Sequence, residues 1–250
     1  MDLKLQGKAA VVTGASSGIG RAIAKGLAAE GVRVAVTGRR RPELESLAAE
    51  IVAAKGERPE IVIHDAIADD YVEAVATRCL GALGGVDILV NNAGGSRAFG
   101  KDATEAQWEE AMTLNFTRHR QLTHRILPAM IERKWGRVIN ITGKSEPEGV
   151  NGAFSAKAAV HAWAKGLSRE VGKHGITVNC IPPGRIMSDQ IRRNYTPEFR
   201  QWQSEHEIPV GRYGEPEELA ALAVFLASPL AGYITGAVLP VDGGLRRYQF

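Results

Sequence analysis

Short apolar runs alternate with longer stretches whose apolar residues recur at helical spacing along this 250-residue chain. Such alternation is the pattern of a parallel sheet with helices on both faces. Strands are expected near residues 9–13, 32–37, 60–64, 86–90, 136–142, 176–181 and 237–241, each brief, apolar toward both sides and closed by a turn residue, as buried parallel strands require. Helical spacing covers 19–30, with Ile23 and Leu27 on one side, and 42–55, which opens on Pro42 and stops at Gly56. It returns over 104–133, with a break expected at Pro128, over 153–174 before Gly175, and over 215–227 before Pro229. The expected fold class is therefore α/β: a single-domain doubly wound parallel sheet of the Rossmann type, with helices on both faces, over residues 1–250. Periodicity fails only over 182–211, and a long irregular stretch in a compact domain is usually functional, so 185–210 is read as a substrate lid.

Composition narrows the function classes. Hydrophobic residues make up 44% and charged residues 24%, ordinary for a globular protein, and a net charge of +3 gives no reason to expect a nucleic-acid partner. No 18-residue apolar segment points to a membrane, and Met1–Lys8 lacks the apolar stretch of a signal peptide. Cys79 and Cys180 lie far apart and fit a reducing, cytoplasmic setting. The six histidines show no metal-ligand spacing with a carboxylate partner, so no metal is expected.

The turn Thr13-Gly14-Ala15-Ser16-Ser17-Gly18-Ile19-Gly20 follows the first strand and opens the first helix. Its spacing is Gly-x3-Gly-x-Gly, but the physics of glycine-rich phosphate turns applies. Glycines let the backbone approach a pyrophosphate, and the helix mouth offers free N–H groups and a positive dipole end. A purely structural turn is the plainer alternative, which the strand–turn–helix context disfavours. The second strand ends at Thr37-Gly38-Arg39-Arg40-Arg41. A carboxylate near this place would accept bonds from a ribose 2′-hydroxyl; here arginines stand instead, and guanidinium groups suit a phosphate. Arg39 and Arg40 thus predict NADP(H), the alternative being a solvated basic helix start.

Four motifs in this order resemble the classical short-chain dehydrogenase/reductases: the glycine turn, Asn91-Asn92-Ala93-Gly94, Pro183-Gly184, and Val241-Asp242-Gly243-Gly244. The resemblance covers nearly the whole chain. It implies a cofactor site formed by Gly14, Ser16, Ser17, Gly18, Ile19, Gly20, Arg39, Arg40, Asp65, Ala66, Asn92, Ala93, Gly94, Lys157, Pro183, Gly184, Ile186 and Ser188. Asp65-Ala66 would lie by the adenine, Asn92-Ala93-Gly94 by the ribose, and Pro183 to Ser188 by the nicotinamide. It also implies a homotetramer through the helices at 104–133 and 153–174.

The family's chemistry uses Asn, Ser, Tyr and Lys, the last two four apart. Asn115 and Lys157 match the first and last, but Ala153 stands where the tyrosine belongs, and the neighbouring Phe154 has no hydroxyl. Gly143 falls where the serine would be, so Thr142 or Ser145 is left to supply that hydroxyl. A positioned acid–base group is worth about 3–5.5 kcal/mol of barrier, and orientation of reactants about 7–11 kcal/mol, so hydride transfer survives if a substitute exists. Lys157 alone, a Ser145–Lys157 pair, Glu146, Glu148 and Tyr195 are the candidates, each with a solvated loop residue as its plain alternative. The leading arrangement is Ser145 with Lys157, and Asn115 holding a water. Arg97, Lys101, Arg185, Arg192 and Arg193 surround the expected cleft mouth, either as solvated charge or as attraction for an anionic substrate. The expected activity is NADP(H)-dependent hydride exchange with a ketone or secondary alcohol; the rival is a protein that binds NADP(H) without redox turnover.

Overall fold

In the computed structural model, six short runs form one parallel sheet. It describes every residue except Ala98, Lys144, Ser145, Gln249 and Phe250, and leaves the side chains of Gln190 and Asn194 undescribed. The strands are β1 (Ala9–Val12), β2 (Arg33–Gly38), β3 (Glu60–Ile63), β4 (Ile88–Asn91), β5 (Gly136–Ile141) and β6 (Ile176–Ile181). Their spatial order is β3-β2-β1-β4-β5-β6, so the chain reverses direction across the sheet between β1 and β4. Ligands of such sheets bind outside the carboxyl ends of the strands at that switch point. β1, β4, β5 and β6 are buried at every position, as parallel strands covered on both faces are, and their polar residues Asn91, Arg137, Asn140, Thr177 and Asn179 are buried with them.

Helices α1 (Gly18–Ala29), α2 (Arg41–Ala53) and α9 (Pro216–Ala227) cover one face, where Ile23, Leu27, Leu44 and Leu219 pack on Val12, Val34 and Val36. Helices α3 (Tyr71–Leu83), α5 (Arg118–Glu132) and α6 (Gly152–Val171) cover the other, with Val75, Leu122, Ile126 and Val160 against Val11, Leu89 and Val138. Three buried amides link β4 to β6. Asn91 Nδ2 donates to Asn140 Oδ1 at 2.9 Å, Asn140 Nδ2 to the Asn179 carbonyl at 3.3 Å, and Asn179 Nδ2 to the Ile234 carbonyl at 2.7 Å.

Four expectations need correction. Residues 237–241 form no continuous strand; only isolated bridges join Val238 to Cys180 and Val241 to Pro183, because Pro183 and Pro240 remove ladder donors. The long helix does not break at Pro128, which lies inside α5 between buried Leu127 and Met130. It widens earlier, between α4 (Glu105–Met112) and α5, where Thr113–Thr117 forms a π turn and the Arg118 N–H bonds back to the Thr113 carbonyl. Helix α3 was not expected. Finally, the irregular stretch contains two short helices, α7 (Asp189–Asn194) and α8 (Pro197–His206), begun by caps from Ser188 and Thr196.

Candidate active site

A cleft of about 790 Å³ opens at the carboxyl ends of the strands, and every residue expected to touch a dinucleotide, from Gly14 to Ser188, lines it. At its centre lies the mouth of α1. Ser17 is the extended N-cap residue, yet its side chain caps nothing, and the first turn holds no acidic residue. The first amides of α1 are thus left for an anion. Gly14 is left-handed (φ +66°), and a methyl there would fall 2.8 Å from Ala93 Cα, so the turn and the loop after β4 touch backbone to backbone. Thr13 stitches them. Its hydroxyl accepts from the amides of Asn92 and Ala93, both at 2.9 Å, and donates to the Val90 carbonyl at 3.2 Å, while Asn92 Nδ2 donates to the Thr13 carbonyl at 2.9 Å.

Beyond the turn, Arg40 reaches back over it, donating to Ser16 Oγ at 3.0 Å and Ser17 Oγ at 2.8 Å. Arg39 pairs loosely with Asp65 at 3.6 Å, both side chains being exposed. The end of β2 therefore presents two guanidinium groups, one aimed at the turn and one at the loop after β3.

Two residues hold this scaffold that sequence reasoning did not single out for the site. Arg118, buried at the start of α5, donates to the carbonyls of Ala66 at 3.1 Å, Ile67 at 3.2 Å and Ala68 at 2.9 Å, fixing the loop that carries Asp65-Ala66. Next to it, His119 Nε2 bonds the Ala93 carbonyl at 2.6 Å, and Nδ1 has no partner. Burial lowers the pKa of His119 to about 4, so the ring is neutral and Nε2 carries the hydrogen it donates. Both are turned toward the sheet by the preceding π turn, Thr113–Thr117, and nothing in the local sequence pattern marks that turn.

At the other end of the cleft, Asn115 sits within the π turn and is fully buried. Its Nδ2 donates to the Gly95 and Ala111 carbonyls at 3.0 and 2.9 Å, and its Oδ1 accepts from the Gly95 amide at 3.1 Å. Both amide protons are spent, and one lone pair of Oδ1 remains for a further donor. Asn115 does not line the cleft; Lys157 does. The lysine amine donates to the Thr142 carbonyl at 2.9 Å and the Ile141 carbonyl at 3.3 Å, and desolvation brings its pKa down to about 8. Ala153, one turn before it, is buried at the cleft wall. The Thr142 hydroxyl bonds His161 Nε2 at 2.8 Å.

Ser145, half of the leading proposed pair, lies outside the described residues. Glu146 is turned away: its carboxylate accepts from the amides of Arg247 and Tyr248, and these bonds hold its pKa below the usual range. Neither Glu146, Glu148 nor Tyr195 is among the described cleft-lining residues. Of the basic residues at the mouth, Arg97, Arg185 and Arg193 line the cleft; Arg97 is paired with Glu110 at 3.1 Å and Arg185 with Glu207 at 3.5 Å.

A family model described as enoyl-(acyl carrier protein) reductase matches residues 14–246. The chain is 36% identical to the 3-oxoacyl-(acyl-carrier-protein) reductase of Aquifex aeolicus, covering 98% of this chain and 100% of that protein. The chain belongs to the short-chain dehydrogenase/reductase family. Another relative in it, nodulation protein G of Rhizobium sp. (strain N33), is 37% identical over 97% of this chain and 98% of its own. Among solved structures of this short-chain dehydrogenase/reductase type, L-sorbose reductase from Gluconobacter frateurii, complexed with NADPH and L-sorbose, superposes with TM-score 0.92, 32% identity and coverage of 99% and 100%. A 7α-hydroxysteroid dehydrogenase complexed with NADH and 7-oxo glycochenodeoxycholic acid gives TM-score 0.91 at 32% identity, covering 97% and 96%. The chain is therefore an oxidoreductase by family, with relatives that hold either nicotinamide dinucleotide.

Proposed function

We propose that this short-chain dehydrogenase/reductase uses NADP(H) to interconvert a ketone and a secondary alcohol, with a proton donor other than the family's tyrosine. The residues fit the cofactor. The uncapped mouth of α1 suits the pyrophosphate, the Asn92–Gly94 loop suits the nicotinamide ribose, and Pro183 to Ser188 suit the nicotinamide. When bound, the dinucleotide supplies or accepts the hydride. The protein's part is to hold the carbonyl against it, exclude water and manage the proton at the substrate oxygen.

The observation that carries the choice of NADP(H) is Arg40 over Ser16 and Ser17, with Arg39 beside it and no carboxylate at the end of β2. An arginine pair at this place is matched to a 2′-phosphate and offers a 2′-hydroxyl no acceptor. Fluorescence titration of the purified chain is expected to give NADPH at least tenfold tighter than NADH, with the preference lost in R39A/R40A. Tighter NADH binding overturns the assignment.

Ala153 favours a second reading, cofactor binding without redox turnover, as a sensor or an inactive subunit. Firm NADPH binding with no change in nicotinamide absorbance across a broad panel of ketones and alcohols establishes that reading instead. The names of the relatives span acyl, sugar and steroid substrates, and the substrate class proposed here stays at a ketone or secondary alcohol. Residues 185–210, with α7 and α8, form the substrate lid. The protein acts in the cytoplasm as a homotetramer, a setting consistent with two buried free cysteines.

A further inference from the structure

The Lys157 side chain runs through space that Gly143 leaves open. A methyl built on Gly143 would fall 2.9 Å from Lys157 Cδ, so any larger residue there forces the lysine onto another path. Ala153, at the position one turn earlier on α6, contributes only a buried methyl. The lysine amine stands 3.4 Å from where a methyl on Gly94 would be, and Asn115 Oδ1 stands 2.9 Å from the same point. The carbonyls of Thr142 and Ile141 take two of the three ammonium hydrogens, which leaves one for a ligand. Among the described residues no carboxylate is paired with Lys157. The titratable groups facing it are His119 from α5 and His161 from α6, both held toward the neutral form by burial, with Arg246 of the C-terminal tail behind His161. Arg97 and Arg185 line this part of the cleft too, but guanidinium groups do not give up protons near neutral pH.

We propose that Lys157 is itself the acid–base group of this enzyme: its free ammonium N–H gives a proton to the substrate carbonyl oxygen as hydride from the reduced nicotinamide dinucleotide arrives at the carbonyl carbon. The carbonyl π pair moves onto oxygen and forms the new O–H bond, the N–H bond breaks, and the dinucleotide is oxidised by two electrons. The neutral amine then takes a proton from water. In the reverse direction the neutral amine accepts the alcohol proton. Desolvation, by bringing this amine down to about 8, makes both forms accessible near neutral pH. The inference rests on the redox reading above and deepens it.

The test compares the unaltered chain with Lys157→Ala, using NADPH and a ketone that the unaltered chain reduces. Reduction by the unaltered chain is expected to fall about tenfold per pH unit above the lysine pKa. K157A is expected to keep measurable NADPH binding, to lose turnover by about 10²-fold or more, and to regain part of it with added methylamine or ethylamine. In the cofactor-free protein, NMR of ¹³C-labelled lysine should show one amine, absent from K157A, titrating near 8. A flat pH profile from about pH 6 to 9, or K157A that binds NADPH but is not rescued, overturns the inference and leaves the redox reading intact. No turnover by the unaltered chain overturns both.

Discussion

His119 shows how one buried side chain couples the cofactor loop to pH. Its Nε2–H holds the Ala93 carbonyl, and desolvation, opposed in part by that bond, brings its pKa to about 4 against 6.5 for a free imidazole. The unfolded chain therefore binds a proton over a range where the folded chain does not. The stability linked to this ring is complete above about pH 6.5 and is lost as pH falls toward about 4, roughly 2 kcal/mol of it by pH 5. His119→Gln keeps a donor for Ala93 and removes the titration. Urea unfolding at pH 7 and pH 5 should show the unaltered chain losing about 2 kcal/mol more than H119Q across that interval. Equal losses would show that the ring is not neutral in the folded protein. The sequence around it, Arg118-His119-Arg120-Gln121, reads as a polar helix surface. Only the three-dimensional rotation of α5 turns Arg118 and His119 inward, so neither role was legible.

At the scale of elements, legibility followed how strongly the chain punctuates itself. Helix α1 lies within a residue of its expected bounds, because Gly18 and Gly20 open it and Gly31 follows its end. The glycine turn, the Asn-Ala-Gly loop and the Pro183-Gly184 turn were readable for the same reason, being strand-end turns with demanding backbones. Helix α3 was missed although Tyr71, Val75, Cys79 and Leu83 are buried at helical spacing and left-handed Gly84 ends it; small residues such as Ala74, Ala76 and Gly81 dilute the pattern. The π turn was invisible, since a proline is a visible breaker and an extra residue per turn is not. That turn, with α5, delivers Arg118 to the loop after β3. Replacing Arg118 by Met strands three buried or half-buried carbonyls, which should cost about 2–3 kcal/mol. NADPH affinity should fall about tenfold as the adenine side of the cleft loosens, a change of about 1.4 kcal/mol. Unfolding and titration of R118M measure the two effects separately, and unchanged NADPH affinity would remove the loop after β3 from the site.

At the scale of the whole molecule, α6 carries a surface that one chain does not explain. Ala158, Ala162 and Gly166 are exposed at four-residue intervals, and a methyl on Gly166 would meet nothing within 4 Å. An exposed glycine inside a helix costs about 1 kcal/mol relative to alanine. Beside this smooth strip, Phe116 and Trp163 meet edge to face at 6.4 Å, both only partly buried. Small residues let helix backbones approach closely, and large aromatics at the margin supply buried area, a combination suited to packing α6 and α5 against their symmetry mates. The proposed tetramer places that strip inside an isologous interface. Ala162→Arg puts a long charged side chain at its centre while leaving the helix and the cleft of each chain untouched, since Ala162 faces away from both. Size measurement at micromolar concentration should give tetramers for the unaltered chain and smaller particles for A162R, with NADPH binding retained. A tetramer that survives A162R moves the interface elsewhere on the molecule, and a monomeric unaltered chain leaves the open strip without a partner of its own kind.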